Sequence, residues 1–480
     1  MRVRKVLWLA PVLAATVLSS GSTNAWSQET YAQRLPGVTY SQPATQPYMT
    51  ASLADDASLG DRVAELEAAL GKIKDKEAAA KKKAAGKPSV TVGGRLFADW
   101  YAYDQDAASI AQITDQQNGF RFDTVRIFVK GSAFHVVDYK LQFDFAGTQS
   151  ALTSVDPAPD GTTGTLQAAT FKDVYIAVKE LPLLGHIKAG HYKEPFSLDQ
   201  LTSSRFIMFM ERSLADVFAP GRNVGVMAYD TLADENITWA IGAFISEIGD
   251  EPPIFKDDTN GTAFTMRATW TPWYDEATGG RGLLHLGAAY SYRNIADGSV
   301  TYARKPEADL GSNLLTTGAI TAITDVQLAG LEAALVYGPF RIQSEYMQAY
   351  VTRRGFANPQ FEGAYVEATY FLTGEQRKYN RKYGTFSDRV VPFENFFRVR
   401  VRDGTVRTGR GAWQVAYRCS YLDLDGAGFD GGNATNHTFG LNWYLNPYTR
   451  LMFNYINSNL REGGTTGNMN IAATRFQIDF

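Results

Sequence analysis

The feature of this sequence that most constrains its fold is a series of short segments in which apolar and polar residues alternate. The clearest is DYKLQFDF at residues 138–145, where every second residue is aromatic or aliphatic and the others are charged or carry an amide. A period of two places alternate side chains on opposite faces of a β-strand. Sixteen such segments follow one another between residues 90 and 480. Because transmembrane strands face lipid on one side and water on the other, the sequence predicts an all-β protein, a sixteen-stranded antiparallel transmembrane β-barrel.

The connections between these segments alternate between short turns and long loops, as they do in outer-membrane barrels. An even strand count returns both chain ends to the short-turn rim, which is the periplasmic rim. One connection on that rim, residues 374–411, is long and carries ten basic residues against four acidic ones. We interpret this basic segment either as a vestibule that raises the local anion concentration or as a solvated loop that touches anionic surfaces.

The first 87 residues follow other patterns. Residues 1–25 combine a basic start, an apolar run and a small-residue site ending at Ala25, which predicts a cleaved signal peptide. Residues 26–57 are rich in Gln, Thr, Ala and Pro and are predicted to be a disordered spacer. Apolar residues spaced four and three apart from Leu59 to Ile73 predict a short coiled-coil helix over residues 58–87, with a single surface helix as the alternative. We expect this N-terminal stalk to lie in the periplasm.

The composition excludes several classes of function. The formal net charge is −3, whereas a protein whose main partner is nucleic acid carries a strong basic excess. One cysteine and five scattered histidines form no recognisable metal-binding pattern, and no histidine stands in a hydrolase-like arrangement with serine or aspartate. We therefore expect no nucleic-acid partner, no metal, no cofactor and no catalytic residue.

The chain ends in an alternating segment in which Phe476, Ile478 and Phe480 share one face. A final strand that ends in phenylalanine fits recognition by the machinery that assembles barrels in the outer membrane. Together with the signal peptide, this ending predicts the outer membrane of a Gram-negative-type cell envelope. The expected partners there are outer-membrane lipid and, through Phe480, the barrel-assembly machinery.

Several motifs occur together in GHYKEPFSLDQLTSSRFIMFMERSLADVFAPGRNVG, residues 190–225. Residues 190–199 match a Gly-x-aromatic-Lys-x-Pro-Phe-Ser-Leu-acidic pattern, followed by Thr-Ser-Ser at 202–204, Glu-Arg at 211–212 and Pro-x-Arg-x-x-Gly at 220–225. With further stretches at 370–380, 411–424 and 440–456, the chain resembles the phosphate-selective porin O and P family. The resemblance implies a sixteen-stranded, homotrimeric outer-membrane porin. It also implies a third loop folded into the lumen and an anion preference that comes from basic pore residues.

The residues of this third loop, near 195–221, also favour a position inside the barrel. Its run Phe-Ile-Met-Phe-Met at 206–210 is too apolar for a loop in solvent. Folded inward, the loop packs its apolar face on the wall and directs arginine and hydroxyl groups, which suit oxyanions, toward a narrowing. Alternatively, its basic residues are structural ion pairs, because residues 191–225 carry four basic and four acidic residues. The candidate pore-lining and anion-binding residues are Lys193, Ser203, Ser204, Arg205, Arg212 and Arg222, with Arg126 from the second strand.

The sequence departs from the phosphate-selective members at two places. Gln200 lies where those members carry a lysine before the Thr-Ser-Ser element, and Asp123 and Thr124 replace adjacent arginines in the second strand. We therefore predict an outer-membrane porin for passive, anion-preferring diffusion of small anionic solutes, with phosphate and other oxyanions as candidates. The alternatives are a channel for general or larger solutes without phosphate selectivity, and a structural envelope anchor.

Overall fold

The computed structural model describes residues 88–146, 169–245, 261–295, 298–400 and 404–480. The signal peptide at 1–25, the spacer at 26–57 and the coiled-coil helix at 58–87 lie outside the described residues and stay predictions. In the described part of the chain, no helix is both long enough and apolar enough to cross a membrane.

Sixteen antiparallel strands in the described ranges form one closed barrel, in which the first strand pairs with the last. The prediction of a sixteen-stranded all-β barrel is therefore confirmed. The barrel strands are β1 (Thr91–Gln105), β2 (Gly119–Ala133), β3 (Val137–Asp144), β4 (Thr170–Leu181), β5 (Gly185–Lys193), β6 (Arg222–Leu232), β7 (Ile237–Ile245), β8 (Thr262–Tyr274), β9 (Gly282–Asn294), β12 (Ile323–Tyr337), β13 (Phe340–Arg353), β14 (Gln360–Phe371), β17 (Ala412–Gly426), β18 (Phe429–Asn446), β19 (Thr449–Glu462) and β20 (Thr465–Asp479).

The remaining described elements are short and lie outside the barrel sheet. Two small hairpins interrupt the order of the barrel strands, one after β9 and one after β14. They pair β10 (Ala303–Arg304) with β11 (Leu315–Thr316) and β15 (Phe397–Arg400) with β16 (Val406–Gly409). The helices are α1 (Ala107–Ile113) and α2 (Leu198–Leu201), with 3-10 turns at Leu214–Phe218 and Glu276–Thr278.

The alternation within each strand decides which side chains face the lumen. In β8, Thr265, Arg267 and Thr269 are buried, whereas Phe264 and Trp270, which flank them, and Met266 between them are exposed. The exposed outer face is apolar, which suits lipid, and the closed sheet satisfies the backbone groups of its strands internally. The polar face therefore lines the inside of the barrel.

The seam that closes the barrel lies between β1 and β20. The Gly94 N–H donates to the Phe480 carbonyl at 2.9 Å, and the Phe480 N–H donates to the Gly94 carbonyl at 3.0 Å. A Cβ atom on Gly93 would lie 2.6 Å from the same Phe480 carbonyl oxygen, so this close approach requires glycine. The last residue of the chain is thus a paired member of the barrel wall.

Among the described residues, three segments occupy the lumen. The inner loop (residues 194–221, between β5 and β6) and the cover loop (residues 298–322, between β9 and β12) enter from the long-loop rim. Residues 374–393 of the basic segment enter from the short-turn rim. Phe218 packs on Tyr302, and Tyr302 packs on Phe361 of β14, with ring centroids 5.3 and 5.7 Å apart. This apolar core fills the lumen beside β12–β14 and β17–β20 and leaves space along β1–β8.

Candidate functional site

Arginines of the barrel wall hold the inner loop in place. Arg475 of β20 donates to the Met210 carbonyl at 2.6 Å, and Arg450 of β19 donates to the Ile207 carbonyl at 2.9 Å. Arg418 of β17 donates to the Glu211 carbonyl of the loop at 3.1 Å. A buried carbonyl without a hydrogen-bond partner is costly, so these guanidinium groups allow the loop backbone to lie inside the barrel.

Two glutamates bind the amide groups of the same loop. Glu345 of β13 accepts hydrogen bonds from the N–H groups of Leu198 and Asp199 at 3.0 and 2.7 Å. Glu307 of the cover loop accepts one from the N–H of Leu214 at 3.2 Å. With arginines on its carbonyls and carboxylates on its amides, the inner loop forms a fixed partition across the lumen.

A cavity of about 820 Å³ remains between the inner loop and strands β1–β8. Fourteen arginine and lysine residues line it against seven aspartate and glutamate residues, although the whole chain has a net charge of −3. A cleft lined by one sign of charge concentrates counter-ions, which here are anions. The basic residues are Arg95, Arg121, Arg126, Lys130, Lys140, Lys172, Lys188, Lys193, Arg205, Arg212, Arg222, Arg267, Lys382 and Arg475.

The residues predicted to line the pore all border this cavity: Lys193, Ser203, Ser204, Arg205, Arg212, Arg222 and Arg126. Two of them are tied to the loop backbone. Arg212 donates to the carbonyls of Asp199 and Thr202 at 3.0 and 2.9 Å, and Lys193 donates to the Gln200 carbonyl. Both side chains therefore brace the inner loop while they border the cavity.

Two of the predicted arginines form ion pairs on the barrel wall. Arg126 lies 2.5 Å from Asp144, and Arg222 lies 2.6 Å from Asp173. Asp173 also pairs with Lys140 at 2.5 Å. Because two cations share this one carboxylate, the group keeps a positive charge on the cavity side.

Arg95 of β1, which the sequence analysis did not single out, joins the barrel wall to the inner loop. Its guanidinium donates to the hydroxyls of Ser203 and Ser204 at 3.3 and 3.0 Å. Among the described residues it forms no ion pair with a carboxylate. Strand alternation assigns Arg95 to the polar face of β1, but only the fold shows that its partners lie more than a hundred residues further along the chain.

Arg95 is also the centre of a group of like charges. Arg126, Arg205 and Arg222 are close enough to act on it as neighbouring positive charges, with Asp173 as the opposing one. Arg205 itself lies over the ring of Phe206 at 5.0 Å. We call this group the arginine–serine cluster; it consists of Arg95, Arg126, Arg205, Arg222, Ser203 and Ser204.

The three positions that depart from the phosphate-selective pattern, Asp123, Thr124 and Gln200, also border the cavity. Asp123 lies 3.6 Å from Arg121 and 3.3 Å from Arg475. A carboxylate thus partly neutralises the basic wall in the part of β2 where adjacent arginines would strengthen it.

The first part of the basic segment, residues 374–393, packs against the short turns and the lumen. Arg381 donates to Asn236 in the β6–β7 turn at 2.9 Å, and Gln376 donates to Gly279 in the β8–β9 turn at 3.2 Å. Arg377 is 2% exposed and donates to the Phe206 carbonyl of the inner loop. This part is therefore held against the turns and the inner loop rather than free in solvent, and Lys382 and Tyr383 of it border the cavity.

The second part of the basic segment is an exposed hairpin, β15–β16. Its described arginines, Arg398, Arg400, Arg407 and Arg410, are exposed and do not border the cavity. Phe396, next to the hairpin, packs on Trp443 of β18 with ring centroids 4.6 Å apart. The charge excess of the segment is thus divided between the lumen and the outer side of the short-turn rim.

Three carboxylates, Asp99, Asp123 and Glu211, meet at the border of the cavity. Arg475 lies among them and donates to Asp99 at 2.6 Å and to Glu211 at 2.7 Å. The arginine takes the place that a cation would need between these oxygens. Burial, together with the negative charge of Asp123, raises the pKa of Glu211 to about 8.

We expect the anion preference of the channel to weaken as the pH rises from about 7 to about 9. Glu211 is neutral below its pKa of about 8 and adds a negative charge to the cavity above it. Arg475, Asp123, Asp99 and Asp309 are the charged groups that act on it. Reversal potentials in a KCl gradient across this pH range measure the effect. Glu211→Gln should reduce it, and an unchanged pH dependence in that variant would assign it to another group.

A closed sixteen-stranded barrel with an apolar outer face, an inner loop across the lumen and a charged cavity beside that loop defines an outer-membrane porin. The family model described as "Phosphate-selective porin O and P" matches residues 90–480, and the chain belongs to this family. Porins are channels rather than enzymes, so the family confirms the expectation that the chain is not an enzyme and supports the predicted outer-membrane localisation.

The chain is similar to several known proteins. An uncharacterized protein of Caulobacter vibrioides is 26% identical over 495 residues, which cover 98% of this chain and 91% of the relative. Porin O of Pseudomonas aeruginosa is 23% identical over 402 residues, which cover 77% of this chain and 82% of the relative. The solved anion-selective porin from Comamonas acidovorans has a TM-score of 0.49 at 13% identity, covering 82% of this chain and 100% of that one. The sequence relatives thus span most of both chains.

Proposed function

We propose that this porin is a passive diffusion channel that prefers small anionic solutes. The observation that carries the proposal is Arg95, a guanidinium that borders the cavity, donates to Ser203 and Ser204, and has no carboxylate partner among the described residues. Arg126, Arg205 and Arg222 add further positive charge around it. An anion that enters the cavity therefore finds positive charge that the wall does not fully neutralise.

The arginine–serine cluster is suited to passage as well as to attraction. Guanidinium forks and hydroxyls replace several hydrogen bonds of a hydrated oxyanion in a fixed geometry. Conduction also requires that an ion leave again, which is easier when several weak sites follow one another. Pairing of Arg126 and Arg222 with carboxylates weakens each single site, so the cluster favours transient contacts over tight binding.

The test is the reversal potential of the purified protein in a planar bilayer under a KCl gradient. We expect a modest preference for chloride over potassium, because seven acidic residues oppose fourteen basic ones around the cavity. A preference for potassium would contradict the proposal. A reversal potential near zero would favour the alternative of a general diffusion channel.

We further propose that phosphate is a weakly held solute and not a dedicated one. Gln200 lies at the cavity beside Lys193, whose ammonium donates to the Gln200 carbonyl. Gln200→Lys should lower the phosphate concentration that blocks the chloride current by about tenfold or more, since it adds one unit charge to the cavity wall. Gln200→Met, which has similar length and no charge, is the control. Block of the wild-type current by micromolar phosphate would instead indicate a dedicated phosphate channel.

We propose a homotrimer in the outer membrane, with the N-terminal stalk in the periplasm and lipid around the apolar outer face. The family resemblance and the apolar spacing from Leu59 to Ile73 support this assembly. Cross-linking of the detergent-solubilised protein should give three chains. Removing residues 52–87 should weaken the assembly without preventing insertion, because the barrel wall supplies the remaining contacts; a clean monomer in the intact chain would contradict the proposal.

We also propose that the barrel-assembly machinery recognises Phe480, whose side chain is 65% exposed. Deleting Phe480 should reduce the amount of folded porin in the outer membrane while secretion stays intact. The deletion also removes the two backbone hydrogen bonds with Gly94, so Phe480→Ala is the matched variant that removes only the ring. Membrane fractionation measures both variants. Wild-type levels of Phe480→Ala would show that the ring is not the signal.

A further inference from the structure

One lysine of the cavity is surrounded by aromatic rings. The Lys188 ammonium of β5 lies 4.7 Å from the ring centroid of Tyr175, 5.2 Å from that of Tyr192 and 5.0 Å from that of Tyr229. Tyr383, from the part of the basic segment that enters the lumen, lies beside Tyr229 with ring centroids 6.3 Å apart. All five side chains border the cavity.

The charge of Lys188 is not neutralised by a carboxylate. Its ammonium forms no hydrogen bond or ion pair with any residue in the described part of the chain. The two aspartates that act on it are engaged elsewhere: Asp138 pairs with Lys179 at 3.0 Å, and Asp173 is shared by two other cations. Electron-rich tyrosine faces hold a cation without cancelling its charge, so a positive charge faces the cavity at this point.

The rings around Lys188 are held in place by further edge contacts. Tyr192 meets Tyr175 with ring centroids 6.0 Å apart and Phe244 with centroids 5.7 Å apart, both edge to face. Tyr192 is 3% exposed and Tyr229 is 8% exposed, whereas Tyr383 is 50% exposed. The site therefore combines a fixed aromatic wall with one ring, that of Tyr383, that offers a free face.

We propose that Lys188, Tyr229 and Tyr383 form a second subsite of the channel, which binds aromatic carboxylates. This inference rests on the proposed function, because it adds a solute class to an anion channel. The carboxylate of the solute pairs with the Lys188 ammonium, and its ring packs on the exposed face of Tyr383. An inorganic oxyanion uses only the first of these contacts, since it has no apolar surface to remove from water.

The charges nearby select an anion over a neutral aromatic solute. Lys382, next to Tyr383 in sequence, also borders the cavity, as do the hydroxyls of Thr385 and Ser387. These groups lie on residues 374–393, which enter from the short-turn rim, whereas Ser203 and Ser204 lie on the inner loop, which enters from the other rim. A solute that passes between the rims thus meets the two subsites one after the other.

The experiment compares benzoate with cyclohexanecarboxylate as blockers of the chloride current of the full-length porin in planar bilayers. The two probes share charge and approximate size, but only benzoate is aromatic. We expect benzoate to block at a concentration about threefold to tenfold lower. Tyr383→Leu should abolish this difference, because it keeps apolar bulk and removes the ring. Lys188→Met should weaken block by both carboxylates.

The controls separate this subsite from the rest of the molecule. Tyr383 lies outside the barrel strands, so Tyr383→Leu leaves the sheet intact, and Tyr346→Leu changes an exposed tyrosine of β13 that does not border the cavity. Equal block by both probes in the wild type, or an unchanged ratio in Tyr383→Leu, would overturn the subsite and leave the tyrosines as partners of Lys188 alone. The chloride-over-potassium reversal potential of the wild type tests the proposed anion preference separately.

Discussion

Replacing Arg95 with glutamate should reverse the ion preference of this porin from chloride to potassium. Arg95 is 7% exposed, borders the cavity and is bonded to the inner loop only through the hydroxyls of Ser203 and Ser204. At an effective dielectric constant of about 20, a unit charge 4 Å from an ion is worth about 4 kcal/mol. The substitution inverts such a charge on the cavity wall beside the inner loop, so reversal potentials in a KCl gradient should change sign.

Two further variants test whether a reversal in Arg95→Glu comes from the charge of Arg95 at the cavity. Arg95→Gln removes the charge and keeps hydrogen-bond donors for the two serines, so we expect a reduced chloride preference without reversal. Arg407→Glu makes the same charge change on the exposed β15–β16 hairpin, outside the cavity, and should leave the reversal potential unchanged. An unaltered reversal potential in Arg95→Glu would show that the arginine–serine cluster does not control selectivity.

The barrel could be predicted from the sequence because its signal is local. Apolar and polar residues alternate along β3, and their side chains alternate accordingly between the outer face and the lumen. The sequence of each strand therefore indicates which of its faces meets lipid. The position of the inner loop has a similar local signal, the apolar run at 206–210. Both depend on the chemistry of neighbouring residues and not on contacts between distant parts of the chain.

The roles of individual arginines could not be predicted in this way. Arg212 and Arg95 have the same chemistry, yet Arg212 donates to carbonyls of its own loop and Arg95 reaches hydroxyls from another element. Arg450 and Arg475 hold loop carbonyls from strands far along the chain. Only the tertiary fold distinguishes a guanidinium that donates to a buried carbonyl from one that faces an ion. No sequence pattern indicates which backbone carbonyl will lie within reach of a given arginine.

The basic segment illustrates the same limit. Its ten basic residues are consistent with either a vestibule or a solvated loop, each taken for the whole stretch. In the structure, Arg377 is bonded to the inner loop, Lys382 borders the cavity, and Arg398 and Arg407 lie on an exposed hairpin. A charge count describes the composition of a segment, whereas the path of the backbone decides which of its charges an ion meets.

The divided basic segment leads to a prediction about conductance. Excising residues 377–391 and joining the ends with a short Gly-Ser linker should raise the single-channel conductance at least about twofold, since a constriction limits conduction. The join is feasible because the Phe393 N–H donates to the Glu375 side chain at 3.0 Å, which places the two ends side by side. The excision removes Lys382 and Tyr383 from the cavity border. It should also remove the preference for benzoate over cyclohexanecarboxylate.

The matched control is the excision of residues 397–408, which removes the exposed hairpin. Its ends are also adjacent, because Phe397 and Gly409 are paired across the two strands. This deletion takes away a comparable number of arginines but none of the described residues that border the cavity. Its conductance should match that of the wild type. If both excisions raised the conductance equally, the effect would come from charge at the short-turn rim, and residues 374–393 would not restrict the lumen.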